Sequence, residues 1–152
     1  MMIRKLKQSC ITMALVALPC LLGAGAHAGP LDDARARAHL DAVAASDLEA
    51  LMRDYADDAY LEWVGGPLDG RNRGKAENRA VWQKFIAANA GKPRPASFGK
   101  LVSFANAKGA SVQQRADYAG TVPVKVWHVL TYRDGSLTTE VWQIAPTLQL
   151  DQ

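Results

Sequence analysis

DLEALMRDYADDAYLEW, residues 47–63, is where the chain passes from helix to strand, and that passage decides the fold. Leu48, Leu51, Met52 and Tyr55 recur at i, i+3, i+4 and i+7, the spacing of one apolar helix face. Asp57-Asp58 closes the pattern, and Ala59 to Val64 reads as a short strand. Upstream, Leu31 to Ala56 is helical in two pieces, with Ala34, Ala38 and Val43 as a weak stripe on the first. Ser46-Asp47 interrupts them, and either side chain can accept hydrogen bonds from the free amides of a new helix start. Downstream, Gly65-Gly66-Pro67 through Gly70 to Gly74 is a loop dense in turn formers. Lys75 to Asn89 is the next helix, with Val81, Trp82, Phe85, Ile86 and Ala88 on its apolar side. Gly91 ends it, and Lys92-Pro93-Arg94-Pro95 prevents its continuation. Beyond Pro95 the segments 98–105, 111–118, 122–132 and 137–144 are rich in β-branched and aromatic residues. Helices first and strands afterwards imply α+β.

The first residues have the three parts of a secretory signal. Arg4, Lys5 and Lys7 make a positive start, Ile11 to Leu22 an apolar stretch, and Ala26-His27-Ala28 a small-x-small cleavage site. The expected organisation is a signal peptide over residues 1–28 and a single domain over 29–152, exported to the periplasm or secreted. The apolar stretch is shorter than the roughly 20 residues that span a bilayer. Pro19 before Cys20 argues against lipidation. Cleavage removes three of the 18 basic residues, so 15 remain against 15 acidic ones. That balance gives no bulk electrostatic case for nucleic acid or anionic lipid, so neither nucleic acid nor membrane is an expected partner. Both cysteines, Cys10 and Cys20, leave with the signal, which excludes disulfides, thiol catalysis and cysteine–metal sites from the mature chain.

Asp134-Gly135 is a strong hairpin turn between the last two strands. With those two as turn residues, Arg133 pairs with Ser136, His128 with Val141, and Trp127 with Trp142. His128 then shares a face with Val126, Leu130, Tyr132 and Leu137, a set without charge that belongs inside. Trp127, Trp142 and Glu140 fall on the other face. A one-residue change in the hairpin would exchange the faces and bring those three inside.

The segments 47–63 and GPLDGRNRGKAENRAVW, residues 66–82, resemble the nuclear transport factor 2-like superfamily, especially its SnoaL-like branch. VLTYRDGSLTTEVWQI, residues 129–144, resembles that group's last hairpin. The resemblance implies a cone-shaped, curved mixed sheet wrapped around three N-terminal helices, with an apolar pocket between them. It also implies pairing through the outer sheet face, where Trp127 and Trp142 would form an apolar patch, so a homodimer is expected. Tyr55, Trp63, Trp82, Phe85 and Tyr132 would wall the pocket, with Asn78 as a polar spot.

Some members of the group isomerise ketosteroids with a carboxylate base, a tyrosine and a protonated acid. Here His39 stands where the tyrosine would be, Trp63 replaces the base, and Trp127 or His128 falls at the second oxyanion donor. That mechanism is not expected. His128 and His39 are the two histidines of the mature chain and its candidate acid–base residues, but neither has a carboxylate partner visible in the sequence. No metal site is expected, because no spaced ligand motif occurs, and no cofactor is implied. The leading expectation is an exported binding protein for a small apolar or aromatic ligand, without assigned catalysis. An isomerase-, dehydratase- or cyclase-type pocket enzyme using His128, and a partner-binding or structural dimer, are the alternatives.

Overall fold

The computed structural model describes residues 28–151; residues 1–27, the body of the expected signal peptide, lie outside the described residues. The elements run α1 (Ala28–Ala45), α2 (Leu48–Met52), β1 (Tyr55–Val64), β2 (Gly70–Arg73), α3 (Lys75–Ala87), β3 (Ala96–Phe98), β4 (Val102–Asn106), β5 (Gly109–Tyr118), β6 (Val124–Arg133) and β7 (Ser136–Ile144). The expected α+β class is what is found.

Helix α1 buries Ala36, His39, Leu40 and Val43, which recur at i, i+3, i+4 and i+7. This is not the stripe read from the sequence: Ala34 is exposed, because the true stripe runs through His39, a residue that an apolar count passes over. Ser46 leaves the helix at φ 58°, and the Asp47 carboxylate accepts the Ala50 amide at 3.0 Å to start α2. Helix α2 ends at Met52, so Tyr55 is the first residue of β1 and not the last turn of a helix.

The sheet order is β2-β1-β7-β6-β5-β3, with β4 also pairing β5. All its ladders are antiparallel except β1–β7, which is parallel, so the sheet is mixed as expected. Two local readings need correction. Gly70–Arg73, read as loop, is a strand pairing β1. The single strand expected over 98–105 is broken into β3 and β4, because Gly99 turns aside to meet the tail. Its backbone amide donates to the Arg115 carbonyl, its carbonyl accepts from the Gln114 side-chain amide, and a Cβ there would lie 2.4 Å from Asp151 Oδ1. Helix α1 packs on β4 and β5, and α3 on β1 and β2, so the helices fill the hollow of the sheet.

The last hairpin holds the main correction. Arg133 pairs with Ser136 and Tyr132 with Leu137, as the Asp134-Gly135 turn requires. Then the register slips: Thr131 faces Thr139, Leu130 faces Glu140 and His128 faces Trp142. Thr138 is an extra residue on β7, and its hydroxyl donates to the Thr131 carbonyl at 3.1 Å. Such a bulge turns every later side chain of its strand to the opposite face. Leu137 before the bulge and Glu140 and Trp142 after it all point inward. Trp142 is therefore no part of a dimer face but a core residue, while Trp127 stays on the outer face at 36% exposure. The cross-strand tryptophan pair on which a homodimer was expected does not exist.

Trp142→Ala is expected to cost about 3–5 kcal/mol in urea unfolding, and Trp127→Ala about 1 kcal/mol or less. Equal losses would put both rings in one environment and refute the bulged register.

Candidate functional site

The interior is layered along the cone. At mid-depth sits Glu140, 0% exposed. Tyr55 of β1 donates its hydroxyl proton to Oε2, and His39 Nε2 of α1 lies 3.1 Å from Oε1. The indole N–H of Trp82 donates to the Tyr55 oxygen at 2.9 Å, which ties α3 to the same group. His128 of β6, also 0% exposed, has Nδ1 at 3.9 Å from Glu140 Oε1 and Nε2 at 3.0 Å from the Tyr118 hydroxyl. The tautomer that suits both neighbours has the proton on Nδ1, facing the carboxylate, with Tyr118 donating to Nε2.

Environment sets these ionisations. Burial raises the Glu140 pKa, but the attraction and hydrogen bond of His39, then His128 and the Tyr55 hydroxyl, outweigh it and hold the carboxyl below its ordinary 4.5. Burial pushes His128 down to about 3; Glu140 opposes that and His39 adds to it. Burial and the Glu140 charge raise Tyr55 and Tyr118 well above the ordinary tyrosine value. At neutral pH the cluster is thus one carboxylate held by fixed donors, with His128 a neutral imidazole. Among the described residues no three His, Asp or Glu side chains are arranged to hold a metal ion.

Above this cluster lies an aromatic layer centred on Trp142. Its ring stacks on Trp63 at 4.6 Å and on Tyr118 at 5.5 Å, and meets Trp82, Phe85 and His128 edge-on at 4.7–5.1 Å. Offset stacks and edge contacts of this kind contribute beyond their buried area. The layer lies between the carboxylate cluster, which it touches through His128 and Trp82, and the outer rings Trp63 and Phe85.

The mouth is open. A cleft of about 380 Å³ lies over Trp63 and Phe85, walled by Leu68, Val124 and Ile144. Two cations, Lys84 and Arg94, also line it, and among the described residues no Asp or Glu does. Arg94 is 3% exposed. Its guanidinium lies 4.6 Å over the Phe85 ring and donates to the Val122 carbonyl at 3.1 Å.

The residues expected to form one pocket therefore divide. Trp63 and Phe85 reach the cleft. Tyr55, Trp82, His39 and His128 converge on Glu140 beneath it. Tyr132 is buried, its hydroxyl without a partner, and borders a separate surface hollow with Phe104, Asn106 and Lys108 instead of the cleft. Asn78 is buried at the start of α3, where its amide donates to the Ala59 carbonyl at 3.0 Å; it ties helix to strand and does not line the cleft. Trp127 lies outside. Tyr118 and Arg94 are not assigned to the site by the sequence, and Glu140 only under the alternative hairpin register, which the bulge realises for Glu140 and Trp142 but not for Trp127. The signal for Glu140 was present: strict alternation left an apolar tryptophan pair in water, which the bulge removes.

Residues 36–140 match the SnoaL-like domain family. No curated protein matches the chain. A nuclear transport factor 2-like protein of unknown function from Burkholderia xenovorans superposes with a TM-score of 0.61 at 18% identity, covering 78% of this chain and 86% of its own. A Parabacteroides distasonis protein provisionally assigned as a ketosteroid isomerase gives 0.62 at 14% identity, covering 78% and 90%. A Sinorhizobium meliloti protein provisionally assigned as a polyketide cyclase gives 0.54 at 21% identity, covering 72% and 94%. At these identities the likeness is one of fold.

The buried histidine makes stability depend on pH. His128 has a folded pKa of about 3, below its unfolded 6.5, so only the unfolded chain takes up the proton between those values. Stability is then lost as pH falls from 6.5 towards 3, by about 1.4 kcal/mol per pH unit at most. Glu140, with its lowered pKa, adds a loss in the same direction below 4.5. Urea midpoints taken from pH 7 to 4.5 should fall for the wild type and fall much less for His128→Gln. Equal slopes would mean that His128 is not held neutral.

Proposed function

We propose a function from one premise, that the chain belongs to the SnoaL-like domain family: it is an exported binding protein that holds a small, largely apolar molecule in the cleft at the mouth of the cone. The observation that carries this reading is the cleft itself, about 380 Å³ with an aromatic floor and aliphatic walls. Ligand sites are concave, mostly apolar and preformed, with a few placed polar groups. Against an acid–base enzyme stands the position of His128, which has no exposed surface and lies beneath Trp142. A substrate in the cleft would meet Trp63 and Phe85, and neither moves protons. Against a dimer built on the sheet face stands the inward turn of Trp142.

The matched dyes phenyl-naphthylamine and anilinonaphthalene sulfonate, which brighten in apolar sites, provide the test. At least one should bind the folded wild type. Ala88 is exposed on the cleft rim, so Ala88→Trp should fill the cleft without disturbing the core and weaken binding about tenfold or more. Failure of both dyes on the wild type, or undiminished binding by Ala88→Trp, would overturn the reading.

Export rests on Arg4, Lys5 and Lys7, the apolar stretch after them and Ala26-His27-Ala28. The intact mass of protein released from the periplasm should correspond to a chain beginning at Gly29. A chain still beginning at Met1 would end the export proposal.

A further inference from the structure

We infer that the occupant of the mouth cleft is an organic anion, an apolar body carrying a carboxylate or similar acidic group, with Arg94 as its counter-ion. This rests on the binding reading above and specifies the ligand class.

A guanidinium brings five N–H donors and a permanent charge. Arg94 spends one donor on the Val122 carbonyl, and its Nε has no partner. Among the described residues no carboxylate pairs with it, although it is 3% exposed. Arginine is almost never so deeply buried without a paired anion, because the charge loses its hydration and gains nothing in return. The stack on Phe85 and the bond to Val122 position the group but leave its charge uncompensated.

The rest of the wall points the same way. The indole N–H of Trp63 is also buried without a partner. None of the residues lining the cleft has an unpartnered buried acceptor. Lining side chains whose polar groups are only donors, with Lys84 as a second cation at the exposed rim, are complemented by a ligand that brings acceptors and negative charge.

The guanidinium is also held in place. The Arg94 amide bonds the Ala44 carbonyl at 2.7 Å. Gly120, at φ 145°, lets the β5–β6 loop close over it: a Cβ there would stand 2.6 Å from Arg94 Nη1. Asn89 fixes that loop by accepting the Thr121 amide at 2.9 Å. A buried cation fixed in this way at the wall of an apolar cleft is preorganised for an anion.

The two dyes differ only by a sulfonate, which makes them the discriminating pair. On the wild type the sulfonate should bind about tenfold or more tightly than the neutral amine, as a charge-assisted hydrogen bond implies. Arg94→Met should bring the ratio close to one, with its fold checked by circular dichroism. Lys84→Glu, on the exposed rim, should lower the ratio severalfold and covers the case in which Arg94→Met does not fold. A wild-type ratio near or below one, with binding still blocked by Ala88→Trp, would overturn the anion inference and leave the cleft as a neutral-ligand site. A ratio that persists unchanged in the folded variants would overturn it too. Loss of all dye binding by the wild type would instead remove the binding reading itself.

Discussion

A carboxylate with no exposed surface sits near the middle of this fold, and the placement of four other elements is bound up with it. Taking Glu140 out of water costs several kcal/mol unless donors are fixed around it. They come from far apart in the chain: His39 from α1, Tyr55 from the first residue of β1, and His128 facing it from β6. Trp82 adds α3 by donating to Tyr55. Removing one partner would leave a buried charge unpaired, which costs more than the lost hydrogen bond alone. The cluster therefore fixes how helices and sheet sit together, and the price of carrying a charge in the core returns as a uniquely specified interior.

One residue makes this arrangement possible. Without the bulge at Thr138, strict alternation would leave Glu140 and Trp142 in solvent and bring Val141 and Gln143 inside. The sequence between Ser136 and Ile144 reads equally well in either register, since Thr138 and Thr139 are both β-branched and neutral. This is why the fold was legible and the site was not. The switch from helix spacing to strand spacing near Tyr55, the Asp134-Gly135 turn and the breaker run after α3 are local signals, and they led to the right class and family. Which face a strand presents is a two-state choice that one bulge reverses. Arg94 was hidden for another reason: between Pro93 and Pro95 it reads as loop, and its burial comes from Ala44, Phe85 and Val122, contacts distant in sequence. His39 was named as a candidate, but its helix stripe was not, because a polar residue on the buried face conceals the period.

The layering explains why depth and mouth differ in chemistry. Trp142 stacks between Trp63 and Tyr118 and rests edge-on against His128, so it closes the lower cone as a lid of packed rings. Beneath it water is excluded, and burial drives His128 to its neutral form. Above it the same rings become the floor of the cleft. One aromatic layer thus serves as core on its lower side and as binding surface on its upper side, which explains why residues expected to wall a single pocket are shared between two environments.

Among the described residues Asp32, Arg94 and Glu140 are buried charged side chains; Asp32 is paired with Arg35, and the contrast between the other two bears on the proposed site. Glu140 is met by two hydrogen-bond donors, His39 and Tyr55, while His128 Nδ1 stands 3.9 Å away, beyond hydrogen-bond distance. Arg94 is 3% exposed, yet only the Phe85 ring and one neutral carbonyl meet its guanidinium, and it borders open volume. Were its purpose purely structural, an apolar side chain over Phe85 would give similar packing without the desolvation penalty. A compensated charge in a packed core needs no further partner. An uncompensated one beside a cleft is stabilised when an acidic ligand arrives, so a buried cation without an anionic partner lies where a ligand would enter.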